Sequence, residues 1–512
     1  MVKLMQDYRG IILMVFIFYL TLFLFIFGYG LYYNAIDNDF FARLIVGKTY
    51  FQTGDLLNWD FLSYTPTHRF VDHEWGSSLI FYFLQSHFGD AGLLIFKAII
   101  YFAVFFLISR IILLHNKDAK MHFLPFLFMV NVVPGVIFTT LRCQSFSFFF
   151  FVLWLYTLER VRLKNETGLL WILPATMIIW GNLHGGCAAG FGLLVIYILG
   201  EFLNKKPVKK YIFTLILCFL ALFINPYGFE YLKFLLTALT LKRELIVEWQ
   251  GSFSKIGFDH HYRFLIFLGC FLVLFSAFWV KFKGNYKSID KTKALLILIT
   301  LLMAIKTIRL QPFFIFSICA MCYSDFYKLF SKNLPKNIDN LKEFILLFLM
   351  IIFAINATAT NRLKCFVWDY PIMEVEFLKA NNIKGNIMCE FHDGSYVAYK
   401  LYPNNLIFMD GKYEEVYPNN LIYVLKNISL AQKGWQNYLE KYPTDIIIAS
   451  KKYEIFNQLK NSKDFTLMTQ SPNFALFIKN KIIKRYYKAP REDIKYYIDT
   501  KYDTNINWST NE

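Results

Sequence analysis

Residues 37–75 read DNDFFARLIVGKTYFQTGDLLNWDFLSYTPTHRFVDHEW. They form the first long polar interruption of an otherwise apolar chain. Asp37 and Asp39 stand at one end, and Asp72, His73, Glu74 and Trp75 at the other. The stretch before it, IILMVFIFYLTLFLFIFGYGLYY at 11–33, is too long and too aromatic for a removable signal. No small-residue cleavage site follows, so it reads as a retained first span. After the interruption comes SSLIFYFLQSHF at 77–88, too short to span and patterned as an amphipathic interfacial helix.

The rest of the chain repeats the alternation. Of 512 residues 56% are hydrophobic, 20% aromatic and only 18% charged, against roughly 25% charged in soluble domains. Many apolar runs exceed the ~18 residues that cross a bilayer, which makes this a polytopic membrane protein. The net charge of +17 raises nucleic acid as a partner. The basic residues, however, fall between apolar runs rather than on one soluble face, so they read as topology and headgroup contacts. No nucleic-acid partner is expected. The eight cysteines show no Cys/His metal spacing, and Cys319 and Cys322 lie within an apolar run; Cys365 and Cys389 could pair if their region is extracytoplasmic.

Eleven spans are expected, near 11–33, 91–114, 121–140, 145–158, 169–184, 186–203, 211–226, 262–281, 294–308, 312–328 and 343–357. With a cytoplasmic N-terminus, the inside segments hold 20 Lys and Arg in 62 residues, and the outside segments 9 in 86. That is the positive-inside asymmetry, sustained along the chain. It places 34–76 outside as a large first loop of a transmembrane domain at 1–360. The odd span count also puts the remainder outside. From 361 to 480, short apolar runs such as GNIMCEF, NNLIFMD, TDIIIAS and NFALFIK alternate with amphipathic stretches such as EVEFLKAN, NNLIYVLKNI, WQNYLEKYP and YEIFNQLKN. Strands interleaved with helices predict a small extracytoplasmic α/β domain. The basic, Tyr-rich tail at 481–512 has no clear period.

On this topology the unusual polar residues gather at the outer side. Arg142 and Gln144 occupy the hairpin LRCQ, Asn182 and His184 end a span in WGNLHGG, and Asn225 ends another in NPYG. Glu248 lies in VEW, while Lys306 and Arg309 flank the break before Gln311. Polar groups near a bilayer are costly and tend to line cavities, so five such reversals facing one acidic loop suggest a site. Bland readings stand beside this one. Asp37 and Asp39 could be solvated loop acids, Asp72 to Glu74 could cap a helix, the arginines could snorkel, and His184 could be a satisfied helix-end histidine.

The chemistry suits a phosphate-linked lipid substrate. Arg142 and Arg309 would fork a phosphate bidentately at headgroup depth and stabilise it as it departs. Gln144, Asn182, His184, Asn225, Glu248 and Lys306 would line the substrate, with Asp72 and His73. Asp37 or Asp39 would take an acceptor proton as general base, with Glu74 as a further catalytic acid. A divalent cation, magnesium or manganese, could be held by Asp37, Asp39, His73 or Glu74, although no spacing demands one.

One span followed by a long external loop with Asp-x-Asp beside the membrane resembles the GT-C superfamily of integral membrane glycosyltransferases. The order DNDFFARLIVG, GDLLNWDFLSYT, VDHEW, LRCQSFSF, NLHGG, INPYGF, VEW and IRLQPFF is similar to a widespread bacterial branch of it. GNIMCEFHDGSYVAYKLYP followed by NLIFMDGKYE resembles that branch's C-terminal domain. Cys143 stands where the branch has proline, leaving Arg142 and Gln144 in place. The resemblance implies a polyprenyl-phosphate sugar as donor, with Asp37 and Asp39 as the loop acids, one of them the base. The acceptor would be an extracytoplasmic glycan, lipid or protein, and the location the bacterial cytoplasmic (inner) membrane. Two other functions remain open: a transporter or flippase of lipid-linked glycans, and a non-catalytic envelope-assembly protein.

Overall fold

The structure, a computed structural model, describes residues 36–56, 58–116, 141–240, 246–281, 289–330 and 369–483, with the pairs 19–20, 23–24, 365–366 and 505–506. The spans expected at 121–140 and 343–357, most of 11–33 and nearly all of the tail lie outside these residues. Along the chain come α1 (Asn38–Thr53), α2 (Trp75–His115), α3 (Gln144–Lys164), α4 (Ile172–Leu183), α5 (Ala188–Leu203), α6 (Lys209–Ala221), α7 (Phe229–Thr240), α8 (Lys255–Lys281), α9 (Lys291–Lys306) and α10 (Gln311–Phe330). An α/β segment follows: α11 (Ile372–Ala380), β1 (Gly385–Met388), α12 (Phe391–Leu401), β2 (Asn405–Ile407), α13 (Tyr413–Val416), α14 (Leu421–Ser429), α15 (Trp435–Lys441), β3 (Ile446–Ser450), α16 (Glu454–Lys460), β4 (Phe465–Gln470) and β5 (Phe474–Lys479).

The chain divides into two compact units, Met1–Asn34 with Leu94–Asn361, and Ala35–Leu93 with Arg362–Glu512. This differs from a transmembrane domain that keeps its own first loop. Residues 35–93 fold with the C-terminal segment instead, and the division falls inside α2. Gly89, at φ 60 and ψ −157, breaks α2 between the expected interfacial helix and the expected span.

The first unit is helical. α2, and the segment Gly185–Leu203 that contains α5, are long and apolar enough to cross a membrane by length and composition. The other expected spans within the described residues coincide with helices. Ile212, Phe213, Ile216 and Leu220 of α6 are exposed, as a lipid-facing stripe requires. Gly190 lets α5 approach Trp154 and Trp180, where a Cβ would meet ring carbons at 2.9 and 3.0 Å. At the far end of α3 lies a polar network that the sequence did not advertise. Arg162 bridges Glu159 at 2.8 Å and Asp290 at 2.5 Å, and Tyr197 donates to Glu159 at 2.5 Å.

In the second unit five strands form one sheet in the order β2-β1-β3-β5-β4. β1 is parallel to both β2 and β3, and β5 is antiparallel to β3 and β4. β3 is central and buried along its length, so IIIAS reads as one apolar run rather than an alternation. α1 replaces the open loop expected over these residues. The Asp37 carboxylate accepts the Asp39 N–H at 3.0 Å and caps its start, and Gly54, at φ 77, closes its end. Phe40, Phe41, Leu44 and Ile45 are buried. The Phe41 ring packs on Tyr396 of α12 and on Tyr370, at 5.0 and 5.4 Å. Farther along, Ser63 pairs in parallel with Ile407, so 62–65 covers the β2 edge through Ile407 N–H to Leu62 O at 2.8 Å. Cys389 is free and buried.

Candidate functional site

In the second unit the loop acids converge on a small set of partners. Asp37 caps α1, and Asp39 sits exposed in its first turn. The Asp39 carboxylate lies 3.3 Å from where a Cβ on Gly411 would stand, which brings the loop Asp410–Lys412 against the α1 N-terminus. One turn into α1, buried Arg43 donates to Asp72 at 2.6 Å and lies 3.5 Å from Glu74. Asp72 also accepts the Glu74 N–H at 3.0 Å, a capping geometry at the start of α2. Glu74 is thus held by Arg43.

His73 lies 3.4 Å from Glu415 and 3.7 Å from Glu74. Burial alone would lower its imidazole, but Glu415, Glu74 and Asp72 outweigh that and raise it to about 9. Among the described residues no three His, Cys, Asp or Glu side chains are grouped to hold a metal.

The sequence reading missed the most buried ionic group of this unit. The Lys412 ammonium lies 3.1 Å from Asp60 and 3.3 Å from Asp410, and all three are buried. Burial raises the Asp410 carboxyl despite the lysine beside it. Asp410 also accepts the Lys412 N–H at 3.0 Å and lies 3.3 Å from the Ser395 hydroxyl. Behind it α12 presses close: a Cβ on Gly394 would stand 2.2 Å from the Met409 carbonyl oxygen. The signal was visible in MDGKYE and NWDF, where charged residues interrupt apolar runs.

The first unit gathers a second set of the expected residues. Arg142 and Arg309 both donate to Glu248, Arg309 at 3.1 Å. The Arg309 guanidinium lies 5.5 Å from the Trp249 ring centre, and Gln144 donates to the Arg309 carbonyl at 3.4 Å. Ile308 N–H to Gln250 O at 2.9 Å and Ser252 N–H to Ile305 O at 3.0 Å fasten the two segments. Three reversals distant in sequence thus bring two guanidiniums onto one carboxylate. Lys306, exposed on the last turn of α9, has no ion pair in that group.

The remaining expected residues hold turns. Asn225 donates to Asn182 at 3.0 Å, and Asn182 donates to the Ile224 carbonyl at 2.8 Å. His184 Nδ1 accepts from Gly186 N–H at 3.0 Å and lies 2.7 Å from the Ser147 hydroxyl. Gly186 is required there, since a Cβ would stand 2.4 Å from that hydroxyl oxygen.

Comparison with solved structures identifies the architecture. The chain superposes on the oligosaccharyltransferase of Archaeoglobus fulgidus tethered to an acceptor peptide, with TM-score 0.53 at 9% identity, over 85% of this chain and 69% of that one. The apo form of the same enzyme gives 0.51 at 10% identity, over 81% and 66%. The chain shares the fold of this oligosaccharyltransferase. No protein-family model and no curated protein sequence matches the chain.

Proposed function

We propose that the chain is a membrane glycosyltransferase that moves a sugar from a polyprenyl-phosphate-linked donor to an acceptor outside the cytoplasm. The observation that carries this is the pair Arg142 and Arg309, two cations of a GT-C fold drawn onto the single carboxylate of Glu248. A phosphate offers the same planar forks more oxygens and more charge than Glu248 does. In the reaction the acceptor hydroxyl forms the new bond to the anomeric carbon. The bond from that carbon to the phosphate oxygen breaks, and its electron pair leaves with the phosphate. The two guanidiniums neutralise the charge that develops on the leaving group. Asp37 accepts the hydroxyl proton as general base, and Asp39 stands two residues on, in the first turn of α1 against Gly411.

The remaining residues act on these. Arg43 and the Asp72 cap fix the start of α2, and the ion group Asp60–Lys412–Asp410 fixes the loop that abuts Asp39. The N-terminus is assigned to the cytoplasm and the second unit to the outside of the bacterial inner membrane, on the Lys and Arg asymmetry.

The test is transfer itself. Purified protein is incubated with radiolabelled polyprenyl-phosphate sugars and an envelope extract. Label should pass to a fraction that no longer extracts as donor lipid. Efflux of an intact lipid-linked glycan from vesicles, with no bond broken, would instead support a transporter.

A further inference from the structure

The second unit contains a cleft of about 470 Å³, within the roughly 300–1,000 Å³ of small-molecule sites. It opens where this topology favours a ligand. β1 and β3 are adjacent and parallel. The chain leaves β1 through α12 toward β2 on one side, and leaves β3 through α16 toward β4 and β5 on the other. The carboxyl ends of such a pair face a crevice at the switch point, where open α/β sheets bind their ligands. His392 follows β1, Lys452 follows β3 and Asn473 precedes β5, and all three line the cleft. Asp37, Asp369, Tyr370 and Ser450 add polar groups to the wall, and Ile36 and Phe474 apolar ones.

We infer that this cleft binds an uncharged saccharide and seats the acceptor sugar of the proposed transfer. The charges select against other ligands. Asp37 and Asp369 would repel a phosphate or a carboxylate that Lys452 alone would have to hold. Lys452 in turn opposes an amine or a metal ion. Burial and the Lys452 charge push His392 down to about 4, so at neutral pH it adds no charge and can both donate and accept.

What remains is a mixture of acceptors (the two carboxylates) and donors (Lys452 and Asn473) around a ring, Tyr370. Hydroxyl groups need both at once. Tyr370 is fixed for this by donating to the Ile36 carbonyl at 3.0 Å, one residue from Asp37. Behind the wall, Asp393 Oδ1 and Glu374 Oε2 are buried without a hydrogen-bond partner among the described residues. Asp393 lies within electrostatic reach of both Lys452 and Asp369. The role of acceptor seat rests on the transfer reading and on Asp37, whereas saccharide binding rests on the cleft alone.

The experiment uses full-length protein in detergent without any donor. Saturation-transfer difference NMR is recorded with glucose, galactose, N-acetylglucosamine and N,N′-diacetylchitobiose, and with glucuronate, glucosamine and inorganic phosphate as charged counterparts. At least one neutral sugar should bind saturably and more tightly than any charged probe. Lys452→Ala and Asn473→Ala, both at exposed positions, should each weaken it about three- to tenfold with unchanged melting. Binding by no neutral sugar, tighter binding of phosphate or glucosamine, or indifference to both substitutions would overturn the site. Saccharide binding with no transfer after labelled donor is added would overturn the acceptor role and the transfer reading, and leave the saccharide site standing.

Discussion

Replacing Lys412 by methionine tests how the second unit is held together. The lysine is the shared partner of Asp60 and Asp410, which are 1% and 0% exposed at their side chains. Asp60 Oδ2 already has no hydrogen-bond partner among the described residues. Methionine fills similar volume but leaves two carboxylates facing each other in the interior. Removing one partner of a buried ion pair costs about 3–5 kcal/mol. That corresponds to an opening equilibrium raised by roughly 10²–10³-fold or more at neutral pH. Cys389, buried and free at the end of β1, reports such opening through its rate of maleimide modification, read by mass spectrometry. The Lys412→Met rate should rise by that factor, and the rise should shrink toward pH 5 as Asp410, already raised by burial, takes up a proton. Adding Asp60→Asn and Asp410→Asn to Lys412→Met should recover most of the loss. A Lys412→Met rate within about threefold of wild type would refute the claim that this group holds the loop in place.

Other outcomes follow from the same geometry. The His73 pKa is raised from 6.5 to about 9. Its contribution is complete below pH 6.5 and is lost as pH rises through 9, up to roughly 3 kcal/mol, so His73→Gln should flatten the stability profile of the second unit in that window. Glu374 is raised from 4.5 to about 7 by burial. The folded state therefore binds the extra proton and loses stability between pH 4.5 and 7, and Glu374→Gln should be neutral at pH 4.5 but stabilising at pH 8 in chemical denaturation. Glu248→Gln should tighten binding of a short-chain polyprenyl phosphate by several-fold, and Arg309→Ala should weaken it at least tenfold, both read by titration. Trp59, 58% exposed, replaced by cysteine, should label with a membrane-impermeant reagent from outside only, which checks the assigned topology.

Much of this architecture was legible because the α/β segment obeys its local patterns. TDIIIAS, with four apolar residues inside turn signals, became β3, and EVEFLKAN and NNLIYVLKNI became α11 and α14. FHDGSYVAYKL was not read as a helix, because Asp393 and Gly394 interrupt it. Its reason for being helical is tertiary: Gly394 lies against Met409, and Tyr396 lies against Phe41. The same long-range packing hid α1, since contacts with α12, Tyr370 and Phe81 make Phe40 and Phe41 part of a buried face. Sequence could place Arg142, Glu248 and Arg309 at one membrane face, and the structure brings them into contact. It could not tell that Asn182, His184 and Asn225 spend their polar atoms on turns, because a turn-holding residue and a ligand-holding residue look alike in one chain. The group Asp60–Lys412–Asp410 was present in the quoted motifs, yet a salt bridge across some 350 positions leaves no local period.

The most direct measurement is transfer that depends on the loop acid. Wild-type protein, Asp37→Asn and Asp39→Asn are compared for release of free polyprenyl phosphate matched one to one by sugar appearing on acceptor. Loss of a general base costs about 10²–10⁴-fold, so wild type should turn over while Asp37→Asn falls by at least a hundredfold with unchanged melting. No release from any polyprenyl-phosphate sugar, or release undiminished by both substitutions, would contradict it.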